Sequence, residues 1–182
     1  MFSNLDLNIL NISNNIQNPI LDSIMLFLTF LANDGLIWIV FILALSFFKN
    51  TRIYGFLVFI SLGMTLLLGN KILKNFFDRE RPFLRFSNLR LLVESSGTNS
   101  FPSSHAATAF AVFGVFYFFN LKYKWYVFIL ALSISLSRVY LNLHYFSDIT
   151  AGAALGLIVS YTIFLVSSSI RYFRNPVTKK VI

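Results

Sequence analysis

The stretch Ser137-Arg138-Val139-Tyr140-Leu141-Asn142-Leu143-His144-Tyr145-Phe146-Ser147-Asp148 sets an arginine, a histidine and an aspartate inside a chain that is otherwise almost wholly apolar. Ionisable side chains at or beside a membrane segment are expensive to bury, which makes them functional candidates. His144 and Asp148 stand four positions apart, so on a helix they share one face within hydrogen-bonding reach. A carboxylate that holds one imidazole nitrogen leaves the other, in a fixed tautomer, free to act as base or nucleophile. Arg138 adds a permanent planar cation suited to bidentate phosphate binding. Alone, these three residues also fit a buried Arg–Asp structural pair, so the rest of the chain has to decide.

Of the 182 residues 57% are hydrophobic and 18% aromatic, and only 12% are charged. A soluble domain carries about 25% charged residues, and this much apolar surface exceeds what one soluble core can hide. The composition therefore implies an integral membrane protein in the lipid bilayer, folded as one domain over residues 1–182 with no Pro/Gly/Ser linker. Zero cysteines exclude disulfides and thiolate metal sites. A formal charge of +8 in so apolar a chain points to topology and an anionic substrate, with no nucleic acid partner.

Working outward, Phe2, Leu5, Ile9, Ile12 and Ile16 recur at helical spacing and predict an interfacial amphipathic helix over residues 1–17. Apolar segments follow over 19–32, 36–48, 53–77, 104–119, 125–141 and 147–170. They predict an all-α polytopic protein with six transmembrane helices. Six crossings would place Lys49, Arg52, Lys122, Lys124 and the basic tail 171–182 on one face, together with both termini. The positive-inside rule makes that face cytoplasmic. The long loop over 83–104, with Arg85, Arg90 and Glu94, and the turn at 143–148 then share the extracytoplasmic face.

Two further constellations fall on that face. Lys74 and Arg81 lie seven positions apart, about two helical turns, and two converging cations can hold a phosphoryl group. Their plain alternative is juxtamembrane snorkelling. Asp78 stands where it can pair with Lys74, Asp34 suits a turn, and Asp22 has no assigned purpose. Pro102-Ser103-Ser104-His105 reads as a helix start, whose free N–H groups make an anion site beside a histidine able to move a proton. Its plain alternative is an ordinary serine cap. Both histidines of the chain and the Lys74–Arg81 pair thus gather at one face.

Together, Lys-x6-Arg-Pro (Lys74, Arg81, Pro82), Pro-Ser-x-His (Pro102, Ser103, His105) and Ser-Arg-x5-His-x3-Asp (Ser137, Arg138, His144, Asp148) resemble the motifs of the type 2 phosphatidic acid phosphatase superfamily, over residues 70–150. Ser104 stands where that family usually has glycine, which allows the closest backbone approach. The resemblance implies a metal-independent lipid phosphatase without cofactor. In it His144 is the nucleophile, Asp148 its orienting partner and His105 the acid and base. Lys74, Arg81, Ser103, Ser104 and Arg138 hold the phosphate. The substrates it implies are a polyprenyl diphosphate, phosphatidylglycerophosphate or the 1-phosphate of lipid A. Arg85 and Arg90 are expected at the rim that meets the headgroup. A catalytically silent transporter or anionic-lipid-binding protein is the alternative, and no oligomeric state is assigned.

Overall fold

The computed structural model describes residues 3–93 and 97–169, and its regular elements there are helices apart from one bridge between Glu80 and Asn99. Glu94 and the basic tail 171–182 lie outside the described residues. Helix α1 spans Asn4–Asn15 and α2 Pro19–Ala32. A 3₁₀ turn over Asn33–Gly35 leads to α3, Leu36–Phe47. Helix α4 covers Arg52–Phe77, with a π-helical stretch at Leu67–Leu73. The single turn α5 is Pro82–Arg85, followed by α6 Ser104–Phe118, α7 Lys124–Tyr140 and α8 Phe146–Ser168.

Local chemistry sets the starts. Asn18 Oδ1 accepts the Ile20 and Leu21 N–H groups at 3.1 and 3.0 Å, and Pro19 occupies the first turn of α2. Ser103 Oγ caps α6 by accepting the Ala106 N–H at 3.5 Å. Helix α6 is central, buried from Ala106 through Phe116. It lies against α8 because Gly152 and Gly156 have no side chains: a Cβ at Gly156 would stand 2.2 Å from the Ala107 carbonyl oxygen, and one at Gly152 2.5 Å from that of Ser103. This small-residue spacing is a packing device of membrane helices. At the end of the bundle away from His144, Tyr54 meets Phe119 with ring centroids 5.5 Å apart, and Lys49, Arg52, Lys122 and Lys124 mark the neighbouring turns.

All six predicted segments are helical, but they are not six equal spans. Arg52–Phe77 and Phe146–Ser168 are long and apolar enough to cross a membrane. Pro19–Ala32 and Leu36–Phe47 meet at a 56° bend and make a third when taken as one broken span. The reason is visible at both ends of α2. Asn18 N–H donates to Tyr140 Oη at 3.2 Å, and Asn33 Oδ1 lies 3.2 Å from His105 Nε2. Both ends therefore stay at the His144 end of the bundle, and only α3 continues to the other.

The N-terminal helix departs from expectation as well. Its buried face carries Asp6, Leu10 and Ser13, while Leu5, Ile12 and Ile16 are exposed. Asn142 Nδ2 donates to Asn14 Oδ1 at 2.9 Å, and Gln17 Nε2 donates to the Tyr140 carbonyl at 3.0 Å. Helix α1 is thereby fastened over the α7–α8 turn. This corrects the expectation that both termini share the end opposite the site: the N-terminal helix is at the site end, because its polar residues satisfy the backbone and side chains of that turn.

Candidate active site

The turn after α7 aims His144 inward. Asn142 takes a left-handed conformation (φ 59°), and the N–H groups of Leu143 and His144 both donate to the Arg138 carbonyl, at 3.0 and 3.2 Å. Asparagine tolerates this geometry better than a branched residue would. Asp148, in the first turn of α8, accepts the Tyr145 N–H at 2.8 Å and so caps the helix. The same oxygen, Oδ2, stands 3.5 Å from His144 Nδ1. The other ring nitrogen, Nε2, lies 3.4 Å from Arg81 Nη1. Burial pushes the His144 imidazole down to about 3, with the Asp148 contact opposing and the Arg81 and Arg138 charges assisting. The ring is neutral near pH 7, and Arg81, which can only donate, faces Nε2.

Three cations gather beside the two imidazoles, Arg81 and Arg138 acting on both and Lys74 on His105. Arg81 is buried and donates to the Leu143 carbonyl at 3.2 Å. Arg138 is buried and donates to Thr29 Oγ1. Lys74 is half-buried near the end of α4, within electrostatic reach of both arginines. Among the described residues none of the three has a carboxylate partner, and Nε of Arg81 and of Arg138 is buried without a hydrogen bond. Helical register does not bring Lys74 and Arg81 together. The helix ends at Phe77, Asp78 turns left-handed (φ 40°), and the extended backbone at Arg81 carries its side chain in. Asp78 makes no ion pair with Lys74; its N–H caps the Lys74 carbonyl at 3.1 Å instead.

The second histidine joins from α6. The Ser103 N–H donates to the Asp148 carbonyl at 3.1 Å, which ties the start of α6 to that of α8. Ser104 Oγ donates to Asn70 Oδ1 at 2.6 Å. His105 is held by Asn33 and feels the charges of Arg138, Lys74 and Arg81 and the His144 ring. Between α3, α4 and α6 a groove of about 450 Å³, lined by Trp38, Leu62 and Leu66, ends at Ser104 and His105.

Arg85 and Arg90 do not converge on the imidazoles. Arg90 Nη1 is bound to Asp22 at 2.9 Å, and Arg85 lies exposed 3.7 Å from Glu80. Asp22 also accepts the Tyr140 hydroxyl at 2.7 Å, which supplies the purpose that sequence left open. Three residues absent from the sequence reading matter more. Arg79 reaches Asp148 Oδ1 at 2.6 Å and Asp6 Oδ2 at 2.9 Å, and Ser100 Oγ donates to Asp148 Oδ2. Arg79 was hidden in a run of charges beside Arg81. Asp6 sat among asparagines, where its one signal was a carboxylate on an otherwise uncharged helix.

Set beside known proteins, the chain matches the PAP2 superfamily model over residues 51–172. It is 32% identical to phosphatidylglycerophosphatase B of Bacillus subtilis (strain 168) over 173 residues, covering 88% of this chain and 82% of that protein. It is 28% identical to undecaprenyl-diphosphatase BcrC of the same organism over 164 residues, covering 90% and 83%. Against the bacitracin transport permease protein BcrC of Bacillus licheniformis, also 28% identical, it spans 59% of the relative's length. The crystal structure of a transmembrane PAP2 type phosphatidylglycerolphosphate phosphatase from Bacillus subtilis superposes with TM-score 0.74 at 28% identity, covering 92% of this chain and 87% of that one. Aquifex aeolicus LpxE superposes with TM-score 0.80 at 24% identity, covering 90% and 96%, a likeness of fold.

Proposed function

The chain belongs to the PAP2 superfamily, and from that premise we propose that it is a metal-independent phosphatase of a membrane lipid, working through a phosphohistidine on His144. It is an integral membrane protein, and two of its named relatives are an undecaprenyl-diphosphatase and a phosphatidylglycerophosphatase. The observation that carries the reading is the set of three cations, Lys74, Arg81 and Arg138, that among the described residues have no carboxylate in an ion pair and stand beside two histidines. Buried positive charge with no counter-ion is costly, and a phosphate group supplies the missing anion along with bidentate acceptors for the guanidinium forks.

In the proposed reaction His144 Nε2 attacks phosphorus while His105 gives a proton to the departing lipid oxygen. The bond to the lipid breaks as the P–N bond forms, and Asp148 stabilises the charge gained by the imidazole. His105 then takes a proton from water, whose oxygen displaces His144 and releases orthophosphate. The cations offset charge on the phosphoryl oxygens in both steps. The apolar groove beside His105 suits a lipid chain. The substrates proposed are a polyprenyl diphosphate, phosphatidylglycerophosphate and the 1-phosphate of lipid A.

For topology the proposal replaces six crossings by five: the bent α2–α3 pair, α4, α6, α7 and α8. The site and α1 then face the extracytoplasmic side, and the end bearing Lys49, Arg52, Lys122 and Lys124 faces the cytoplasm. The absence of Lys and Arg before Lys49 supports an N-terminal segment on the outer side.

The test is phosphate release in EDTA by detergent-purified protein from the three lipid classes, with the native chain and His144→Ala. Release by the native chain that falls about a thousandfold or more in the variant is the expected result. Full release by the variant removes His144 as nucleophile, and no release from any lipid favours the transporter or lipid-binding alternative.

A further inference from the structure

Behind His144 the charges are arranged as a relay that crosses the whole chain. Asp148 Oδ2 backs the imidazole at 3.5 Å, but its Oδ1 is held by Arg79 at the shorter distance of 2.6 Å. An arginine so placed, acting alone, would draw the carboxylate's charge away from the imidazole. The other fork nitrogen of Arg79 is bound at 2.9 Å by Asp6, itself buried on α1. Asp6 is in turn fixed by Ser147, whose N–H donates to Oδ1 at 2.8 Å and whose hydroxyl donates to Oδ2 at 2.7 Å. Arg79 also lies over the Tyr145 ring, 4.2 Å from its centroid, so the guanidinium plane has little freedom. Two buried carboxylates thus share one cation, and one net negative charge stays on the side of His144 away from the phosphate cradle.

We propose that Asp6, the only carboxylate of the N-terminal helix, is a positioning residue for the reaction: by pairing with Arg79 it keeps the Asp148 carboxylate oriented toward His144 and its charge available to the imidazole. The helix that the sequence reads as a membrane-surface element thereby becomes part of the catalytic support. This rests on the phosphatase reading in which His144 is the nucleophile. A purely structural role, capping the start of α8 through Ser147, is the competing explanation. Arg79 Nη1 also donates to the Ser147 hydroxyl at 2.7 Å, so that role predicts lower thermal stability in Asp6→Asn and in Arg79→Gln with kcat unchanged.

The discriminating experiment is a double-mutant cycle on lipid-phosphate release, using Asp6→Asn, Arg79→Gln and the double variant of the full chain, with His144→Ala alongside. Residues that orient a metal-ligating side chain without touching substrate are worth about 10–100-fold, and an orienting partner of the Asp148 carboxylate is expected to act on the same scale. Asp6→Asn is expected to lower kcat about tenfold and leave KM within about twofold, because it touches nothing in the phosphate cradle. In the Arg79→Gln background the same change is expected to cost less than about twofold, since its route to Asp148 is already cut. An equal loss in both backgrounds, a loss confined to KM, or no loss at all overturns the relay. Should Asp6→Asn not fold, Asp6→Glu reads the same point: reduced kcat with native KM supports it, and raised KM with native kcat overturns it. Activity surviving in His144→Ala would instead contradict the phosphatase mechanism, whatever the Asp6 variants do.

Discussion

Two kinds of arginine lie at the His144 end of this protein, and they differ in company. Arg79 and Arg90 each hold a carboxylate, Asp6 and Asp148 for the first and Asp22 for the second, all at 2.6–2.9 Å. Arg81 and Arg138 are more deeply buried, and among the described residues neither forms an ion pair: Arg81 meets the Leu143 carbonyl and His144 Nε2, and Arg138 the Thr29 hydroxyl. Paired charges join elements distant in sequence: α1 to α8, and the long loop to α2. Unpaired charges are left where a ligand can complete them. Folding alone would favour the first arrangement everywhere, because an unmatched buried charge costs several kcal/mol, on the order of 3–5 when one partner of a pair is removed. On the proposed reading the second arrangement is where the substrate phosphate binds.

Substitutions at the two kinds of arginine separate activity from stability. Arg81→Met is expected to lower kcat/KM by about a hundredfold or more, through lost stabilisation of the phosphoryl oxygens. Its thermal unfolding temperature should match or exceed the native one, because a buried unmatched charge is gone. Arg90→Ala is expected to do the reverse, with activity within about threefold of native and a small loss of stability befitting a half-exposed ion pair. Steady-state kinetics and melting curves on both variants check this. A destabilised Arg81→Met with intact turnover would erase the distinction.

A smaller effect concerns pH. Burial beside Arg81 and Arg138 disfavours imidazolium at His144, whose titration lies near 3 against the ordinary 6.5. On the proposed mechanism the neutral form attacks, so the acid limb of kcat/KM should fall well below pH 6.5. The unfolded chain takes up this proton before the folded one does, so His144 removes stability as pH falls from about 6.5 toward about 3. A pH–rate profile with its acid limb centred near 6.5 would show that neither burial nor the neighbouring cations hold this ring neutral.

What could be read from the chain and what could not follows the distance over which each feature is encoded. The starts at Pro19 and Ser103 are written within a few residues, and sequence reading found them. His144 and Asp148, expected on one helix face, meet instead because the turn at Asn142 and the cap at Tyr145 fold His144 back beside the first turn of α8. The 56° bend at Asn33–Gly35 was legible as a break but not as a joint within one unit. Hydropathy reports apolar length, and whether two short apolar runs turn back or continue depends on what their ends touch. Arg90 was taken for a headgroup contact because its partner, Asp22, lies 68 residues away. The Asp6–Arg79 pair spans 73 residues, and the packing of Gly152 and Gly156 against α6 is equally non-local.

The central claim is that Lys74, Arg81 and Arg138 stand unpaired because phosphate is their partner, and calorimetric titration of inorganic phosphate tests it most directly. The native protein in EDTA should bind phosphate, Arg81→Ala should lose at least about tenfold in affinity, and Arg90→Ala should bind as the native protein does. Equal affinity in the native and Arg81→Ala proteins would contradict the account.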